Sequence, residues 1–253
     1  MKILLISGHG AGDSGAVGNG RKEANLTREL VSLIAPKLRA YATVDVYDQK
    51  RNAYKDVQNG SFKVGKYDYA FEIHFNAYSD PAAHGTECFV TTKENGITVE
   101  QAIMKNMNRY FTLRDNDAIF DGVKRTNFLV IKTLKEKGIS GALLETFFIT
   151  NKNDMIVYNS NKDAIASDIV TGIVKGFGLK RIEAPKTVKV GSRVKIKKGA
   201  VYGGLSSARG TVCSTYALSG KWTVKEIKTH KGVKEALLSG INSWVAVESL
   251  TLV

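Results

Sequence analysis

Over residues 2–177, short apolar runs of strand length alternate with amphipathic stretches of helical period. No other feature constrains the fold of this chain as tightly. Lys2–Ser7 is a nearly unbroken apolar run, the pattern of a parallel strand buried on both faces. Asn25–Ala40 follows with Leu26, Leu30, Leu33, Ile34 and Leu38 at helical spacing. Thr43–Asp48 alternates and reads as a strand. Tyr69–Phe75 is another, with Phe71, Ile73 and Phe75 on one face and Glu72 and His74 on the other. Gly85–Thr91, Phe128–Ile131 and Gly141–Phe147 are further strand candidates, and Val99–Tyr110 and Ala164–Phe177 are helix candidates. The alternation predicts an α/β fold of three layers, a mostly parallel sheet flanked by helices.

The pattern changes near residue 180. Residues 180–187 read as a linker between a first domain, 1–179, and a second, 188–253. Thr211–Tyr216, Lys221–Thr229 and Ile241–Val247 read as short strands separated by glycine or serine, with a helical turn at Val233–Leu238, and predict a small all-β domain, SH3-like, in the second. The net charge is +13, and residues 185–253 supply +9 of it, with 12 Lys and Arg against 3 Asp and Glu. A basic module of this kind points to a polyanionic partner. The two cysteines, Cys88 and Cys213, lie far apart and predict no disulfide framework. No apolar run is long enough for a membrane span. The N-terminal run is too short for a signal peptide, so synthesis in the cytoplasm without an export signal is expected.

Three side chains carry the chemical reading. His9 ends the first strand in a glycine-rich turn (Gly8-His-Gly-Ala-Gly-Asp-Ser-Gly15), Glu23 stands just before the first helix, and His74 ends the Tyr69–Phe75 strand. Two imidazoles, one carboxylate and an open position form the donor set of a hydrolytic zinc site. In parallel α/β sheets, sites form beyond the carboxyl ends of the strands, where both histidines fall. Asp13 suits either a bond to a histidine N–H or a local turn. Glu145 stands near the end of the apolar strand Gly141–Phe147. A carboxylate there is costly to bury without a partner, and it suits a general base. An ion pair with Lys124 or Arg125 is its structural alternative.

Gly8-His-Gly, Asp13-Ser-Gly-Ala16, Glu23, Ile73-His-Phe-Asn-Ala77 and Glu145-Thr-Phe-Phe-Ile-Thr-Asn151, in that order, resemble the motifs of the zinc-dependent N-acetylmuramoyl-L-alanine amidases of the Amidase_3 type. The resemblance covers roughly residues 1–179. It implies cleavage of the amide between N-acetylmuramic acid and the L-alanine of the stem peptide. It also implies one Zn2+ per chain on His9, Glu23 and His74, Glu145 as the catalytic glutamate, and Asn76 as a site-shaping or substrate-contacting residue. Ala11 and the segment between Asn52 and Tyr67 depart from the family pattern. The second domain more loosely resembles bacterial SH3-type wall-binding domains through Tyr202-Gly-Gly204 and Ser243-Trp-Val245, with Trp222, Trp244, Tyr202 and Tyr216 as a candidate ligand surface. The combination resembles a phage or prophage endolysin, which reaches the wall after the membrane is permeabilised. Its implied partners are peptidoglycan and associated anionic wall polymers, with no nucleic acid and no membrane insertion.

Three rival readings follow from the same residues. The first is a zinc peptidase acting within the stem peptide. The second is a basic nucleic-acid-binding protein, for which no zinc-knuckle, P-loop or RNP signature is present. The third is a metal-free wall-binding protein.

Overall fold

The computed structural model describes residues 1–114, 122–183 and 187–253. Residues 184–186 of the expected linker therefore lie outside the described residues. Contacts divide the chain into two compact units, Met1–Ile182 and Glu183–Val253.

The first unit runs β1 (Lys2–Ser7), β2 (Val17–Gly18), β3 (Arg21–Lys22), α1 (Glu23–Leu38), β4 (Thr43–Val46), α2 (Ala53–Gln58), β5 (Tyr69–Asn76), β6 (Glu87–Val90), α3 (Thr98–Met107), β7 (Val123–Arg125), α4 (Leu129–Glu136), β8 (Ser140–Phe148) and α5 (Lys152–Phe177). Six strands form one sheet in the order β4-β1-β5-β8-β6-β7, and only the β8–β6 pair is antiparallel. The sheet is thus mixed but mostly parallel, with its faces covered by helices.

Strand alternation sorts the side chains into two cores. Ile3, Leu5, Phe71, Ile73, Phe75 and Leu144 pack with the apolar faces of α1, α3 and α5. On the opposite face Leu4, Ile6 and Ala70 pack with Ala53 of α2 and with Val130 and Leu134 of α4. The second face is thinner, and its far end carries the polar residues. Register places His74 beside Glu145 and Glu145 beside Glu87, so these three lie in one row across the sheet.

Two elements of the first unit differ from the sequence reading. Phe128–Ile131 is not a strand. Leu129 opens helix α4, which buries Val130, Ile131 and Leu134. A four-residue apolar run fits either element, and only packing decides. Helix α5 begins at Lys152 rather than Ala164. Its first turns gather their apolar residues in one run, Met155–Tyr158, between polar stretches and so show no helical period, and Asn151 starts the helix by accepting from the backbone N–H groups of Asn153 and Asp154.

The second unit contains β9 (Arg193–Ile196), α6 (Thr215–Ser219), β10 (Trp222–His230), β11 (Val233–Leu238), β12 (Ser243–Ala246) and β13 (Leu250–Leu252). Its strands form an antiparallel sheet, β12-β11-β10-β9-β13. It has its own core around Val194, Trp222, Val224, Leu238 and Val245. The expected strand at Thr211–Tyr216 is instead a single bridge at Val212 followed by α6, which Ser214 caps by accepting from the Ala217 N–H, and the expected helical turn at Val233–Leu238 is strand β11, paired on both sides by β10 and β12. Trp222 belongs to this core, with its indole N–H donated to the Ala217 carbonyl at 2.7 Å. Of the four aromatics expected to form a ligand surface, Tyr216 is well exposed, at 68%. Among the described residues no helix is long and apolar enough to cross a membrane.

Candidate active site

The site forms at the carboxyl ends of β1, β5 and β8. His9 follows β1 with φ +61°, a left-handed backbone that few non-glycine residues adopt. The turn is held by a reciprocal pair of backbone hydrogen bonds between Gly10 and Asp13, at 2.9 and 3.1 Å. Arg28 of α1 donates to the carbonyls of Gly8, His9, Ala24, Gln49 and Arg51, tying the turn to the helix. Gly8 has to be glycine, because a Cβ there would stand 2.3 Å from the His74 ring.

Glu23 sits at the centre. One carboxylate oxygen lies 3.0 Å from His9 Nε2 and the other 2.9 Å from His74 Nδ1. The same oxygens accept from the Ala16 and Phe75 N–H groups at 2.9 and 3.0 Å. The carboxylate is buried, which opposes its charge. The His74 and His9 imidazoles nevertheless hold it far below the usual carboxylate range. The donor atoms of His9, Glu23 and His74 all lie within 4.8 Å of one another. Donors bound tetrahedrally at about 2.0 Å sit ~3.3 Å apart, so this trio fits one zinc ion with little rearrangement.

Partners outside the trio fix the rings. Asp13 Oδ2 lies 2.9 Å from His9 Nδ1, while its other oxygen accepts from Gly15 N–H at 2.9 Å. The two sequence alternatives for Asp13 therefore coexist. Asn52, at the start of α2, donates to Asp13 at 3.0 Å. Asn76 donates to Glu87 at 2.6 Å, and Glu87 also receives Lys124 at 2.6 Å. Arg125 is engaged with the carbonyls of Thr91 and Glu94. Glu145 therefore has neither of the ion pairs considered for it, and its enclosed Oε2 has no partner among the described residues. Burial raises its carboxyl to about 7, against the pull of the His74 charge and helped by the Glu23 and Glu87 carboxylates.

His9, Asp13, Glu72, His74 and Glu145 line one cleft of about 310 Å³, walled on its apolar side by Ala53, Tyr54, Phe128, Leu129, Val130 and Leu143. Apart from Leu143 of β8, the apolar wall comes from α2 and the start of α4, and the sequence pattern marks neither as part of a site. Glu72 lacks a sequence signal for a different reason. Strand alternation put it on His74's face, but a single carboxylate on a strand carries no motif. His84 is not among the residues that line the cleft: it is exposed, with Nδ1 at 2.9 Å from the Ala82 carbonyl.

Comparison with known proteins agrees with this geometry. The chain is 29% identical over 185 residues to the N-acetylmuramoyl-L-alanine amidase LytC of Bacillus subtilis, covering 69% of this chain and 35% of LytC. It is 26% identical over 184 residues to the endolysin of Bacillus phage SPP1, covering 69% of this chain and 64% of that protein. The chain thus spans only part of these relatives. Among solved structures, the catalytic domain of the CD27L endolysin targeting Clostridia difficile superposes with a TM-score of 0.56 at 24% identity. That match covers 72% of this chain and 99% of that one, and it speaks to the fold. The profile of the Amidase_3 family, N-acetylmuramoyl-L-alanine amidase, matches residues 3–175. The chain belongs to the N-acetylmuramoyl-L-alanine amidase family.

Proposed function

We propose that this chain is a zinc-dependent peptidoglycan hydrolase that cleaves the amide between N-acetylmuramic acid and the L-alanine of the stem peptide. The observation that carries this reading is the convergence of His9, Glu23 and His74 on one point beside Glu145, a carboxyl with an unpartnered buried oxygen. His9, Glu23 and His74 would hold one zinc ion per chain. Bound there, zinc polarises a carbonyl and lowers the pKa of water toward ~7. Glu145, its Oε2 enclosed beside the trio, takes a proton from the attacking water as oxygen adds to the lactyl carbonyl carbon. It returns that proton to the alanine nitrogen as the C–N bond breaks. Asp13 holds the His9 ring, and the wall formed by Tyr54, Phe128 and Leu129 excludes water from one side of the reacting groups.

Digestion of purified peptidoglycan by the zinc-loaded protein checks the bond. Mass spectrometry is expected to find intact stem peptides beginning with free L-alanine, and glycan with unsubstituted lactyl groups. Shortened peptides still attached to glycan would mark a peptidase instead.

The second unit is proposed to be an SH3-like wall-binding domain with anionic wall polymers among its ligands. Its charge excess and separate core support this, and Lys228, 5.5 Å from the Trp244 ring centre, joins a cation to a partly exposed aromatic. A fragment of residues 183–253 is expected to pellet with Gram-positive cell walls at low salt. It should release as ionic strength rises, since exposed charges are screened beyond ~10 Å at 0.1 M. A fragment that stays in the supernatant at low salt removes the targeting role. The likeness to a phage endolysin supports deployment from within a host once the membrane is permeabilised.

A further inference from the structure

We infer that Glu72 is a positioning residue for His74, fixing which imidazole nitrogen faces the metal. The inference rests on the zinc reading above. Glu72 stands two residues before His74 on β5, on the same face, and is only 3% exposed. Its Oε1 lies 3.2 Å from His74 Nε2. Its Oε2 is enclosed without a partner. Among the described residues no lysine or arginine pairs with it, so the imidazole is its one side-chain partner. A carboxylate buried on such terms is costly, and its surroundings (Leu143 and Val130 in the same cleft) suit an apolar side chain better. Packing therefore does not account for it, and its bond to His74 does.

The two histidines present opposite nitrogens to Glu23. His9 turns Nε2 inward and gives Nδ1 to Asp13, whereas His74 turns Nδ1 inward and gives Nε2 to Glu72. Each ring is gripped from behind by an acid, which sets its tautomer and frees the lone pair on the inner nitrogen. Carboxylates placed behind ligand histidines hold ring orientation and strengthen the ligand, and losing one costs 10–100-fold in metal affinity. Glu72 and Asp13 thus form a matched pair around one ion, one on β5 and the other in the turn that follows β1.

The test is zinc affinity, measured by competition with a chelator, for the wild-type chain, Glu72→Gln and Glu72→Leu, with histidine 15N NMR of the zinc-loaded proteins. Wild type is expected to carry one histidine metallated at Nε2 and one at Nδ1. Glu72→Leu is expected to bind zinc toward 100-fold more weakly, with the His74 tautomer no longer fixed. Glu72→Gln keeps an oxygen that accepts from Nε2–H, so it should lose about tenfold, nearer the lower limit, and retain the wild-type tautomer. It also serves as the test if the leucine variant does not fold. Unchanged affinity in the variants, or His74 metallated through Nε2, overturns the role of Glu72 while leaving the zinc reading intact. Failure of the wild-type chain to take up one equivalent of zinc overturns both.

Discussion

Glu145→Gln is expected to lower the rate of peptidoglycan cleavage by ~10²–10⁴-fold, the usual cost of losing a general acid–base group. Bound zinc should stay at one per chain, because Glu145 is outside the His9–Glu23–His74 trio. Gln has nearly the same shape and cannot exchange a proton, so the variant separates proton transfer from metal binding. A second, opposite effect should accompany the loss. The Glu145 carboxyl is raised from 4.5 to about 7 in the folded chain. A group with a raised folded pKa contributes fully below its unfolded pKa, and that contribution is lost as pH climbs from about 4.5 through 7. The Glu145 charge then costs the metal-free wild-type chain about 3 kcal/mol more at pH 8 than at pH 4, at 1.36 kcal/mol per unit. Metal-free Glu145→Gln does not carry this charge. It should melt at higher temperature than wild type at pH 8, with the gap closing toward pH 4. A variant that hydrolyses wall at near wild-type rate would remove Glu145 from the chemistry. A variant with no gain at pH 8 would show that its charge is better solvated than its surroundings indicate.

What could be read in advance, and what could not, divides along physical lines. The α/β class was legible because buried parallel strands leave continuous apolar runs and flanking helices leave 3.6-residue stripes. His9 and His74 were legible as neighbours because both end such runs, and strand ends on one edge of a parallel sheet lie together. Helix α4 was not legible, because Phe128–Ile131 contains too few residues to show a period. The apolar wall of the cleft was lost with it, since Phe128, Leu129 and Val130 face His74 only when that segment turns as a helix. Asn52 and Arg28 were hidden because their partners, the Asp13 side chain and a cluster of carbonyls, belong to segments distant in the chain. Glu72 was visible as a position and invisible as a function, for a strand pattern records which face a residue takes and not which atom it touches.

His74→Ala is expected to bring zinc content from one per chain to near zero after dialysis, and wall lysis to background with it. His74 supplies one of only three donor side chains, and its ring also holds the second oxygen of Glu23 in place at 2.9 Å. Removing it leaves that oxygen with the Phe75 N–H alone and opens the space beside Gly8 that the ring now fills. Two donors from a partly exposed histidine and a carboxylate do not hold zinc against dialysis, because affinity rests on the number and preorganisation of ligands. The fold itself should persist, since His74 belongs to neither hydrophobic core of the first unit. Circular dichroism of the metal-free variant should therefore match that of metal-free wild type. The variant also distinguishes the two histidines' environments. If it retains one zinc per chain in a folded state, His74 is not a ligand, the convergence on Glu23 is an ion-pair network of structural origin, and the hydrolase reading loses its metal.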